Sequence, residues 1–265
     1  MDRFPWRLVL PSMMKSLEYR TTFFVYMVGA VAGPMITLLV WLTVSDQGVL
    51  LPYDRKQFVS YYLLLSTVAL MTSTWVAEYD LADSIRLGRL SPLLLRPVAP
   101  ILHYVGDHLG QKMVMLPLQL PLVAAAAILL RADVIVPAHP LTWVLFALSV
   151  TMAAAVSFLL DFLLGLTAFW IQDIDGLIQA KALVGSFLAG QVIPLAFFPS
   201  EFSAFLQFQP FRYTLSFPLE IVLGDLSKTQ MIQGFACQAV YCVLLWLAYR
   251  IVWSRGLRKY SSVGG

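Results

Sequence analysis

Two charges in this sequence sit beside or within long apolar runs, and buried charge is where membrane chemistry begins. Asp161 lies well inside the apolar run 141–170, about nine residues from its inner end. At 1.5 Å per helical residue that is roughly 13 Å deep. Lys112, at the inner start of the run 113–130, reaches a similar depth and is expected to pair with it. An intramembrane charge is expensive and faces protein or water, so the alternatives are a place on a substrate path or a proton relay. The other chemically capable residues do not converge. His103 and His108 precede one apolar run and His139 follows it, so one metal site from all three is implausible, and they read as interfacial side chains. Cys237 and Cys242 have neither metal spacing nor a disulfide framework, and read as packing residues. G-x-x-x-x-G-K-[ST], G-x-S-x-G, H-E-x-x-H and paired C-x-x-C are all missing, so no catalytic residue, metal or nucleotide site is expected in this chain.

The elements that hold these residues follow from composition. Hydrophobic side chains make up 59% of the 265 residues and charged ones 12%, where a soluble domain carries about 25% charge. That is too little charge to coat a water-facing surface, so the fold class expected is an all-α polytopic membrane protein. Runs of about 20 apolar residues mark spans, here 22–44, 57–77, 113–130, 141–170, 182–198 (broken by Pro194) and 231–253. Residues 1–20 are basic and amphipathic, interrupted by Pro5, Arg7, Pro11, Lys15, Glu18 and Arg20. They read as an interfacial helix and not as a cleavable leader. With the N-terminus inside, thirteen of the 18 basic residues fall on the inner side and five on the outer. The positive-inside rule therefore places both termini in the cytosol, which requires an even number of spans, and six satisfies it. The net charge of +3 is explained by this topology and not by nucleic-acid binding. One domain, 1–265, is expected.

The cytosolic stretch 79–100 carries the most information. Gly88 can end a helix running in from the second span. Ser91 is a natural N-cap and Pro92 suits the first helical position. Leu93, Leu94 and Leu95 continue that turn, while Pro97 and Pro100 stop it. The result is a short apolar helix flanked by Arg86, Arg89 and Arg96, costly in water unless a partner covers it. The run Gly88-x-Leu90-x-x-Leu93-Leu94-x-x-Pro97-Val98 resembles the first cytosolic loop of ABC-2 type permeases, with Arg89 where the family has threonine. The resemblance extends to Pro194-Leu-Ala-Phe-Phe-Pro-Ser-Glu-Phe, Gln209-Pro-Phe-Arg-Tyr and Phe217-Pro-Leu-Glu-Ile-Val-Leu-Gly224. These are similar to a bacterial branch whose members often occur as two related permeases with one shared ATPase.

That resemblance implies a bacterial inner-membrane exporter subunit and not an enzyme. Gly88, Arg89, Leu90, Leu93, Leu94, Leu95, Arg96 and Pro97 would form a coupling helix that docks on an ATPase subunit. ATP and Mg²⁺ would belong to that partner. Two ATPase subunits and a second permease, a copy or a relative, are implied, with the substrate path between the permeases. The rival readings are a lipid-modifying membrane enzyme and an ion-coupled secondary transporter. On the outer side, 199–230 holds a dense set of aromatics between Pro199, Pro210 and Pro218. It reads as a re-entrant hairpin of two short helices dipping into the outer leaflet. Phe197, Phe198, Phe202, Phe205 and Phe211 are its candidate gate residues, with anchoring and packing as the alternative.

Overall fold

The computed structural model describes residues 6–18, 20–74, 77–129 and 134–260, and every described element is helical. Parts of the expectations above that fall on 1–5, 19, 75–76, 130–133 and 261–265, Arg131 among them, lie outside the described residues. Five stretches are long and apolar enough to cross a membrane: Phe24–Asp46, Arg55–Arg86, Pro100–Leu129, Pro140–Phe169 and Lys228–Leu257. They contain helices α2 (Arg20–Asp46), α3 (Arg55–Thr72) with α4 (Ala77–Arg86), α6 (Pro100–Leu129), α7 (Pro140–Leu166) and α11 (Lys228–Leu257). Before them lies α1 (Trp6–Glu18), and between them the single-turn α5 (Ser91–Leu94), α8 (Asp175–Leu188), α9 (Ser203–Phe208) and α10 (Ser216–Leu223).

The sixth expected span departs from the reading. Its run, 182–198, contains the second half of the 14-residue α8, which is about 21 Å long against a hydrocarbon core of about 30 Å. The helix ends because Gly190 takes a left-handed φ of +81° and Pro194 follows. Two helices start earlier than apolar counting suggests, because side chains satisfy their first amides. Asp54 and Gln57 form a capping box on α3, and Ser227 and Gln230 form one on α11. Helix α6 also begins earlier, at Pro100, although His103, Asp107, His108 and Lys112 lie in its first turns. Helix α1 covers that polar section. Gly106 and Gly110 let the α1 backbone approach so closely that a Cβ on either would lie 2.7 Å from Leu8 or Ser12. The Ser12 hydroxyl donates to the Asp107 carbonyl at 2.8 Å.

Helix α7 is the central post, packed by α3, α4, α10 and α11. One half of the core joins Leu38, Phe58, Tyr61, Leu65, Val150 and Leu219. The other half joins Leu81, Leu90, Tyr104, Phe158, Phe162 and Tyr249. Where α11 crosses, Gly234 and Gly256 receive the rings of Phe217 and Phe169; a Cβ there would meet ring carbons at 2.0 and 2.2 Å. Gln238, wholly buried mid-helix, donates to the carbonyls of Ser149 and Tyr213 at 3.1 Å each. In hydrocarbon an unpaired amide would be costly, so these bonds also fix the rotation of α11.

Candidate functional site

The loop 87–97 is built by a helix stop. Helix α4 ends at Arg86, Gly88 adopts φ +71°, and the amide of Leu90 donates to the Ser84 carbonyl at 2.9 Å, turning the chain back on itself. The turn drives Leu90 into the core beside Leu81 and Phe162, where it is 0% exposed. This corrects the expectation that Leu90 faces a partner. Its burial is already complete within the chain. Leu93 is half-buried against the same core, while Leu94 and Leu95 are 38% and 88% exposed. Arg89, Arg96 and Pro97 are exposed as well, and Gly88 forms the bend behind them.

Ser91 does not cap α5. Its hydroxyl shares a 3.0 Å hydrogen bond with the Tyr260 hydroxyl, and its amide donates to the same oxygen at 3.1 Å. Tyr260 also sets its ring edge-on to Phe169, 6.2 Å between centroids. The residues just past α11 thus clamp the start of the loop 87–97. Sequence reasoning missed Tyr260, because a contact spanning 169 residues leaves no local signal.

Asp161 is 2% exposed, and its partner is not Lys112. The Lys181 ammonium, from α8, pairs with one Asp161 oxygen, and the Thr74 hydroxyl faces the other. Thr74 lies just past α3, where the helix breaks, and its hydroxyl also reaches Glu78 Oε2 at 3.2 Å. Thr74 has one proton, so it serves one of these two carboxylates at a time. Lys112 instead donates to the Ser73 carbonyl at 2.5 Å and to the Ser73 hydroxyl at 3.1 Å. The reason is local: α3 ends at Thr72, and the carbonyls at a helix end lack intrahelical partners and attract a cation. Sequence reading therefore found Asp161 but missed Glu78 and Lys181, which composition assigns to span boundaries.

A cleft of about 670 Å³ opens beside this cluster, between α2 and α8. Gly29 and Gly33 form part of its α2 wall and have open space where a Cβ would point. Ser73, Ser157, Lys181 and Phe211 line the other walls. The cleft is apolar over most of its surface and has polar groups where Lys181 reaches it.

The candidate gate aromatics divide by position. Phe197 packs among Trp41, Tyr53 and Phe58, with centroids 4.7 to 5.9 Å away. Phe198 is half-buried, and Phe211 closes on Gly185 inside the cleft. Phe202 and Phe205 are exposed, as is Phe208. Behind them Arg212 grips Glu220 with two bonds, at 2.6 and 3.3 Å.

Among the described residues no group of His, Cys, Asp and Glu could hold a metal ion. No curated protein matches the chain. The family model described as ABC-2 family transporter protein matches residues 22–264, nearly the whole length. That family is a membrane component of transport in the context of ABC transporters with ATPase partners, and is not itself catalytic. On this match the chain belongs to the ABC-2 transporter family.

Proposed function

We propose that this chain is the permease subunit of a bacterial inner-membrane exporter, driven by ATP hydrolysed on separate ATPase subunits. The observation that carries the reading is the build of loop 87–97. It is anchored at Leu90, clamped by Tyr260 and tipped by Leu94 and Leu95. A rigid knob with exposed leucines costs free energy in water and loses that cost against a partner surface. Because the knob is tied both to α4 and to the end of α11, a push on it moves two spans together.

In this reading two permeases and two ATPases assemble, the second permease being a copy or a relative. The cleft beside α2 and the facing surface of the second permease form the substrate path. Its apolar walls with a polar patch at Lys181 suit an amphipathic substrate. Helix α8 and the short helices up to Leu223 together complete a sixth passage, which keeps both termini cytosolic. Phe202 and Phe205 meet the outer leaflet, and Phe197 and Phe211 form the inner face of the gate. ATP and Mg²⁺ stay on the ATPase.

The test is Leu94→Ala with Leu95→Ala, in cells expressing the chain with an ATPase encoded beside it. Burying a leucine is worth roughly 1.5 to 3 kcal/mol. Loss of two should weaken ATPase association by about two to four orders of magnitude, at 1.4 kcal/mol per decade. Permease abundance should stay normal, while ATPase co-purification and vanadate-sensitive hydrolysis fall together. Unchanged co-purification would place the knob on lipid and remove the main support for this function.

A further inference from the structure

A second polar pocket, of about 380 Å³, lies on the inner side between the end of α4, the turn Thr167–Phe169 and the end of α11. Arg86, Gln172, Lys259, Phe169 and Tyr260 line it. Two of the Arg86 guanidinium nitrogens, Nε and Nη2, are buried and have no hydrogen-bond partner. Among the described residues no carboxylate is in an ion pair with Arg86 or Lys259. Buried donors without a partner are costly, and Nε and Nη2 lie on the same edge of the guanidinium, the edge that takes an oxyanion through two bonds. Lys259 adds a second cation at the rim, and Gln172 an amide donor.

The depth of the pocket identifies the source of the anion. Phe169 packs edge-on against Trp170 and Trp253, at 5.8 and 6.2 Å, and Trp170 is exposed. Tryptophans collect at the headgroup level of a bilayer. Arg250, Arg255 and Arg258 are exposed along the same end of α11, adding attraction for the anionic inner leaflet. A basic pocket between spans at that level is the chemistry that holds anionic lipid headgroups. We infer that the Arg86–Lys259 pocket binds the phosphate of an anionic inner-leaflet lipid. Tyr260 is one wall of this pocket and also the residue that grips Ser91, so a bound headgroup braces the coupling segment from behind. The inference rests on the proposed function for the cytosolic placement of this end of α11, and not on the identity of any ATPase.

The experiment is native mass spectrometry of the full chain, purified in detergent and delipidated. It is mixed in turn with dioctanoyl phosphatidylglycerol, dioctanoyl phosphatidylcholine and inorganic phosphate. Retention of the phosphatidylglycerol over the zwitterionic lipid is expected, with inorganic phosphate failing to displace it. Arg86→Gln and Lys259→Gln should each lower that retention about tenfold, the scale of one lost charge-assisted contact. Without lipid, Arg86→Gln should melt no lower than the parent chain, because it removes an unpaired buried charge. If that variant does not fold, Lys259→Gln, at an exposed position, still decides. Equal retention of both lipids, or unchanged retention in both variants, would overturn the inference. Displacement by inorganic phosphate would reassign the pocket to a free anion. Loss of ATPase binding in Arg86→Gln with lipid retention intact would reassign it to a partner's carboxylate. Either result refutes the lipid site.

Discussion

The cluster around Asp161 makes an asymmetric prediction. The Lys181 ammonium pairs with the buried Asp161 carboxylate, and the Thr74 hydroxyl links Asp161 to the buried Glu78. Breaking a buried ion pair by removing one partner costs roughly 3–5 kcal/mol, because it strands the other charge. Asp161→Asn leaves Lys181 partly exposed to the cleft, where its charge can meet water, and the loss should sit at ~3 kcal/mol or below. Lys181→Gln leaves two carboxylates facing each other with one hydroxyl between them. Its loss should reach ~5 kcal/mol. The double neutral variant should be better than Lys181→Gln alone, giving a coupling of about 2 kcal/mol or more in the double-mutant cycle. Lys112→Gln combined with Asp161→Asn should be additive, since Lys112 serves the end of α3. Unfolding of the purified chain by denaturant titration in mixed micelles would give the six free energies. Equal losses for Asp161→Asn and Lys181→Gln, or additivity between them, would refute this geometry. Strong coupling of Asp161 with Lys112 would restore the pairing expected from sequence.

Two further outcomes follow from the same packing. Leu90→Ala should destabilise the permease itself by about 2–5 kcal/mol, as a truncation in a filled core does, and lower its abundance. Wild-type abundance with lost ATPase would show that Leu90 faces the partner after all. For topology, with Cys237 and Cys242 replaced by alanine, an impermeant thiol reagent outside intact cells should modify Ser203→Cys and leave Arg258→Cys unlabelled. Labelling of Arg258→Cys would invert the end of α11.

Local features proved legible in the residues. Apolar run length located the five long helices, since the backbone in lipid must bond to itself and a helix is the way a single segment does so. Gly88 ended its helix at the expected place, because a left-handed φ is cheap for glycine alone. Residue counting failed where geometry interrupts composition. The run 182–198 has the length of a span, yet the left-handed Gly190 and Pro194 end its helix first. A segment as short as α5 has no period from which to read a face, so only the tertiary turn through Ser84 decided that Leu90 goes inward and Leu95 outward. Which lysine meets Asp161 was likewise undecidable from depth alone. Lys112 and Lys181 each directly precede an apolar run, and the break after Thr72 created a carbonyl that claims the first and leaves the second to Asp161. Tyr260 and Ser91 meet across most of the chain. Contacts of that separation are written only in the packing of α11 against α7.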